Sequence, residues 1–174
     1  MRRSNRLFDL VGDGDRNASR INREEIVELA TMIEQIERNI GQSLQYYANR
    51  SGLTLLDAQA LAAIVELGDN ARLSAIAESA RMPLSTMTGV AARLEKAGLV
   101  ERRRATDDGR AFVLILTPKG VLQVKELFGP FFEQVSKVIE TAEPGTLEAL
   151  VESFRAVNEM ALQLRATVDA QAED

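Results

Sequence analysis

The hydrophobic period of this 174-residue chain changes in one place, and that change limits its fold more than any other feature. Up to Gly98, and again beyond Thr117, apolar residues recur every three or four positions, the spacing of one face of an α-helix. Between them LVERRRATDDGRAFVLILT reads as two extended runs joined by a polar, glycine-containing turn. Leu99 and Val100 enter the first run, and Phe112 to Leu116 make the second. The natural reading is a β-hairpin, so the expected fold is mainly α with a small β-hairpin.

The helices around it are legible from their stripes and ends. Residues 22–50 form a long helix, with Ile26, Leu29, Ile33, Ile36, Ile40, Leu44 and Tyr47 on one stripe. Asn22 with Glu25 resembles a capping box at its start, and Ser51-Gly52 ends it. Thr54 with Asp57 offers a second cap ahead of LLDAQALAAIVEL, which stops before Gly68. After a loop, DNARL, Ser74 is expected to cap the short helix AIAESAR. MPLS is a tight connection, and a further helix runs from about Ser85 to Gly98, a glycine placed just past a helix C-terminus. On that helix Met87, Val90 and Leu94 face inward, leaving Ser85, Thr86, Thr88, Gly89, Ala92 and Arg93 mostly outward. Beyond the hairpin, PKGVLQVKELFGPFFEQVSKVIETA is helical, and Gly129-Pro130 should kink or break it. Glu143-Pro144-Gly145 is a turn, with Pro144 placed to start the last helix. There Leu150, Phe154, Val157, Ala161, Leu164 and Val168 form an a/d seam.

Composition narrows the chemistry. The chain contains neither cysteine nor histidine. Disulfides, thiolate nucleophiles and thiolate zinc sites are excluded, and the commonest general base and metal ligand are missing. Carboxylates with metal-binding spacing are not evident, so no cofactor or metal is expected, and an enzyme would need a carboxylate–lysine site of which there is no sign. No apolar run approaches the ~20 residues of a membrane span, and the basic N-terminus lacks a secretory apolar core. A cytoplasmic location is the default expectation. The formal net charge of −5 hides an asymmetry: from Arg81 to Lys119 there are eight Lys or Arg against four Asp or Glu, while the remainder has thirteen against twenty-two. A polyanion can dock on the first segment and is repelled elsewhere.

Helix, tight turn, helix and hairpin, in this order, are the parts of a winged helix-turn-helix. The second helix of the pair must be slim and polar to enter a DNA major groove ~12 Å wide. Ser85, Thr86, Thr88, Gly89 and Ala92 supply such a face, and Arg93 can reach a phosphate or a guanine edge. The hairpin carries Arg102, Arg103, Arg104 and Arg110 toward the flanking backbone or minor groove. Arg110 is the favoured wing contact; Arg102 packs or binds backbone, and Arg103 and Arg104 alternate outward.

The residues that carry this reading also form an ordered set of motifs. Ser85-Thr86-Met87-Thr88, Leu94-Glu95, Gly98-Leu99-Val100, Arg102, Asp108-Gly109-Arg110 and Leu116-Thr117-Pro118-Lys119-Gly120 follow one another at consistent spacing. Residues 73–120 thereby resemble the MarR family of bacterial transcription regulators, and the order of helices extends the resemblance over residues 22–168. It departs from the family at Pro83, where relatives often carry a Ser or Thr cap, and at Gly89 and Gly109, where many carry arginine.

The resemblance implies a homodimer held by the N-terminal and the last two helices. It also implies recognition helices set in successive major grooves of a pseudo-palindrome and, in most members, a repressor answering to a small organic effector. The chain then divides into a flexible tail (1–21), an N-terminal dimerisation helix (22–52), a winged helix-turn-helix lobe (53–119), C-terminal dimerisation helices (120–168) and a polar tail (169–174). Expected DNA-binding residues are Ser85, Thr86, Thr88, Gly89, Arg93, Arg102, Arg104 and Arg110. Tyr46, Tyr47 and Arg50, at the end of the first long helix, are candidates for an effector site. The arginines of the tail, Arg2, Arg3 and Arg6, are candidates for an arm reaching DNA, with a plain tail as the alternative.

Other readings stay open at this point. The charged hairpin can be a solvated one whose charges only prevent edge pairing. Arg93 can form an ion pair with Glu95 or Asp69. The whole can be a winged-helix protein-interaction or dimerisation module that binds no DNA.

Overall fold

The computed structural model describes residues 23–105 and 111–172. Expectations placed on the first 22 residues, including the Asn22 cap and the tail arginines, lie outside the described residues. So do those on the turn 106–110 with Asp107, Asp108, Gly109 and Arg110. The described chain runs α1 (Arg23–Arg50), α2 (Leu55–Leu67), a 3₁₀ turn (Gly68–Asn70), α3 (Leu73–Ser79), α4 (Leu84–Lys96), β1 (Val100–Arg104), β2 (Phe112–Leu116), α5 (Pro118–Glu140) and α6 (Thr146–Ala172). It divides into two compact units, Met1–Gly129 and Pro130–Asp174.

The first unit owes its shape to well-formed helix ends. Thr54 and Asp57 make a full capping box at α2: the Asp57 N–H donates to Thr54 Oγ1 (3.2 Å), and the Thr54 N–H donates to Asp57 Oδ2 (2.9 Å). α4 ends in a Schellman motif, with Gly98 at φ 69°, its N–H on the Glu95 carbonyl (2.9 Å), and the Leu99 N–H on the Leu94 carbonyl (3.0 Å). α3 ends the same way at Arg81, whose φ is 53°. The Met82 N–H reaches back to the Ala77 carbonyl there (2.9 Å), closing the tight turn into α4. Arg81 thus holds a left-handed conformation that suits glycine. Arg81→Gly should therefore raise stability, by about 0.5–1 kcal/mol after the greater freedom of glycine in the unfolded chain is set against the relieved strain. A chemical-denaturation midpoint no higher than that of the wild type would contradict this.

These ends direct one core. Leu61, Ile76, Met87, Val90, Leu94 and Leu127, from α2, α3, α4 and α5, are its largest fully buried side chains. Met82 is buried as well, so the methionines of this region are packing residues. The strands pair antiparallel, from Val100 opposite Leu116 to Arg104 opposite Phe112. Val113 and Leu114 are both buried, Leu114 within the core, and β1 is exposed beyond Val100. Only the end of the α1 stripe meets this core, through Leu44, Tyr47 and Ala48; Leu29, Met32, Ile36 and Ile40 stay exposed. In the second unit, Leu147, Leu150, Val151 and Phe154 of α6 are exposed too.

Two local expectations are corrected. Ser74 does not cap α3. The cap position is Arg72, which makes a β-bridge to Val113, while the Leu114 N–H bonds the Ala71 carbonyl (2.9 Å). The segment read as a plain loop is thus tied to β2, and the helix starts directly after it, leaving Ser74 inside the first turn. Pro144 does not start α6. It occupies the second position of a turn closed by the Thr146 N–H on the Glu143 carbonyl (3.0 Å), with Gly145 at φ 86°. Of the kink or break expected at Gly129-Pro130, the break does not occur: α5 runs from Pro118 to Glu140 with Pro130 inside it. Apolar and helix-favouring residues on both sides, with Leu127 and Phe128 seated on the core, outweigh one missing donor. α6, finally, continues to Ala172, into the segment expected as a polar tail.

Candidate nucleic-acid interface

The outer face of α4 is made of small and polar groups because its apolar ones are used inward. Met87, Val90, Ala91 and Leu94 are buried, while Ser85, Thr88, Gly89, Ala92, Arg93 and Lys96 are exposed and Thr86 is half-buried. Pro83 occupies the N-cap position and the helix begins at Leu84, with no side chain closing its first N–H groups. Those donors point out of the exposed end of the helix, the arrangement that suits a phosphate. The space around Gly89 is open, so the outer surface is flattest there. The Thr88 hydroxyl donates to the Leu84 carbonyl (2.9 Å), and what it offers outward is acceptor lone pairs.

Two cations at this face are held by acids. The Arg93 Nη2 donates to Asp57 Oδ1 of α2 (2.8 Å), and the Arg102 Nε donates to Glu95 Oε1 (2.9 Å), which ties the root of the hairpin to α4. The ion pair expected of Arg93 therefore exists, with neither Glu95 nor Asp69 as its partner. Sequence reasoning took Asp57 only as a cap and missed it as an anchor. The available signal was an acid at the third position of a mostly apolar helix. Arg103 lies 3.6 Å from Glu101 in an exposed pair of little energetic weight. Arg104, exposed, closes β1 opposite Phe112. Arg110 lies outside the described residues.

The segment LTPKG, after the hairpin, locks the next helix onto the end of α4. Thr117 Oγ1 donates to the Gly98 carbonyl (2.6 Å) and accepts the Gly120 N–H (3.1 Å), and Lys119 Nζ donates to the Ala97 carbonyl (2.7 Å). Gly120 lies so close to Leu99 that a Cβ there would sit 1.9 Å from its carbonyl oxygen.

The effector candidates lie apart, at the end of α1. Tyr46 and Tyr47 meet edge to face, with centroids 5.3 Å apart. Tyr47 packs on the core and Tyr46 is exposed. With Asn39, Gln42 and Ser43 they line an open depression of about 420 Å³; Arg50, also exposed, is outside its lining. Among the described residues there is no cluster of acids fit to hold a metal ion, and no single helix is long and apolar enough to cross a membrane.

Two helices joined by a tight turn, with a hairpin tied to the second, define a winged helix-turn-helix protein. Comparison with known proteins shows what the chain is similar to. Residues 51–111 match the model of the MarR family. A MarR family protein from Bacillus stearothermophilus has the same fold, at 21% identity over 82% of this chain and 99% of its own, with a TM-score of 0.66. Sco3205, a MarR family transcriptional regulator from Streptomyces coelicolor solved in complex with DNA, is 24% identical over 83% of this chain and 92% of its own (TM-score 0.58). BpsR of Bordetella bronchiseptica, whose DNA binding is regulated by 6-hydroxynicotinic acid, is 22% identical over 75% and 98% (TM-score 0.52). No curated protein matches the chain by sequence alone. The resemblance to the MarR family drawn from the motifs is thereby shown, with the family pattern in residues 51–111 and the fold of its members over most of the chain.

Proposed function

We propose that this protein is a sequence-specific DNA-binding transcription regulator, a homodimeric repressor acting on a pseudo-palindromic operator. The carrying observation is the exposed, slim and polar face of α4 with the cationic hairpin tied to its end through Arg102 and Glu95. Ser85, Thr86, Thr88 and Gly89 meet base edges, Arg93 reaches a guanine edge, Arg102 meets backbone, and Arg104 and Arg110 extend the contact along the wing. A regulator of this kind needs no catalytic centre. The likeness to Sco3205 in complex with DNA supports the assignment.

The homodimer accounts for the exposed apolar residues of α1 and α6, which a second copy would cover. The long helices on either side of the lobe are then dimerisation elements. For an effector we place a small aromatic acid at the depression beside Tyr46 and Tyr47, with Arg50 as the nearby cation; regulation of BpsR by 6-hydroxynicotinic acid supports the chemical class.

Band-shift titration against the DNA upstream of the protein's own gene tests the function. Binding should weaken on the order of 10³-fold between about 50 and 200 mM salt, as cations replaced at phosphates demand. Arg110→Ala should weaken binding to every duplex alike, whereas Thr88→Ala should change which duplexes are preferred. Absence of binding at low salt would sink the assignment and favour a protein-interaction module.

A further inference from the structure

A helix cap needs only one oxygen of an aspartate, and Asp57 has two. Its Oδ2 serves the cap alone, accepting from the Thr54 N–H (2.9 Å) and the Thr54 hydroxyl (2.7 Å). Its Oδ1 is aimed the other way and takes Arg93 Nη2 at 2.8 Å, across 36 positions of sequence. Asp57 is the one buried charged residue among those described, 4% exposed, so its carboxylate is fixed and poorly screened. The side chain of Arg93 remains 53% exposed on the outer face of α4, one turn beyond Gly89. A guanidinium carries five N–H donors, and the tether uses one of them.

We propose, resting on the DNA-binding reading above, that Asp57 is a positioning residue that presents the Arg93 guanidinium to DNA from the face of α4. Held from below by a buried carboxylate, Arg93 loses its rotamer freedom during folding and loses little more on binding. The open surface at Gly89 lets the duplex approach close enough for a guanidinium in this fixed place to be met. Asp57 thus acts on DNA through Arg93, even though its own charge repels the polyanion.

That opposition of signs makes the test. The probes are a 24-base-pair duplex selected by the wild-type protein from a random-sequence pool, and poly(dA-dT) as unselected duplex without a guanine edge. Asp57→Asn should bind the selected duplex about tenfold more weakly, the size of one well-placed contact, yet bind poly(dA-dT) no more weakly than the wild type. Arg93→Lys, which keeps the charge and loses the fork, should show the same pattern, and the double variant should be no weaker than Arg93→Lys alone within about twofold. Asp57→Asn binding the selected duplex as tightly as the wild type, equal losses on both duplexes, or losses that multiply in the double variant would each overturn the proposal. If Asp57→Asn gives no cooperative melt, Arg93→Lys decides: unchanged affinity for the selected duplex overturns the positioning role. A wild type that selects no duplex removes the DNA-binding reading and this inference with it. A wild type that selects one, with variants that fail the pattern, removes the inference alone.

Discussion

Replacing Gly120 with alanine is expected to destabilise the protein by about 4 kcal/mol or more, far beyond the usual effect of adding one methyl group. The new Cβ would meet the Leu99 carbonyl oxygen at 1.9 Å and its carbon at 2.9 Å. Both are backbone atoms, so no side chain can rotate aside. Relief requires the start of α5 to move away from the end of α4. That would break the Thr117 N–H bond to the Leu99 carbonyl (3.0 Å), the Thr117 hydroxyl bond to Gly98 and the Lys119 bond to Ala97. Thermal melting measures the loss, expected as a fall in Tm of roughly 10 °C for a chain of this length. Gly89→Ala is the control. It places the same methyl group in open space on an exposed helix and should raise stability by about 0.8–1 kcal/mol, the propensity difference alone. A Gly120→Ala protein within about 1 kcal/mol of the wild type would contradict the close approach of α5 to Leu99.

The second large effect contrasts two leucines of one helix. Leu94→Ala should cost about 3 kcal/mol or more, because Leu94 is fully buried among side chains of the lobe core and its removal leaves a cavity that they only partly fill. Leu84→Ala, at a residue 52% exposed, should cost less than about 1 kcal/mol. DNA affinity should separate the two in the opposite sense. At a temperature where both variants are folded, Leu94→Ala should bind nearly as the wild type, since Leu94 faces the core and not the exposed side of α4. Leu84→Ala alters the exposed first turn of α4 and should change affinity directly. Denaturant midpoints together with band shifts check both statements; equal destabilisation by the two substitutions would contradict the inward orientation of Leu94.

Much of the lobe was legible because its rules are local. A glycine past Leu94-Glu95-Lys96 closes a helix by a left-handed turn whatever surrounds it, and Gly98 does so. Thr54 and Asp57 cap each other within one turn. The end of the three-or-four spacing, with extended runs on both sides of a polar glycine-containing turn, placed both strands. Where local rules failed, a longer-range contact had overruled them. Arg72 took the position before α3 because its backbone pairs with Val113, forty-one positions on. Pro130 stayed inside a helix whose flanks were favourable enough to carry it.

The candidate site divides along the same line. The sequence by itself determined which residues of α4 turn outward, since burying Met87, Val90 and Leu94 leaves no other face for Ser85, Thr88, Gly89 and Arg93. It also determined that cations gather near the hairpin. Only the tertiary structure decided what holds those cations: Asp57 under Arg93, Glu95 under Arg102. The reason is physical. Facing on a helix follows from a fixed angular repeat and is written in a few consecutive residues. The choice of an ionic partner depends on which distant element packing brings within about 3 Å, and for Arg93 that element is α2, whose place is set by the core rather than by any residue near Arg93.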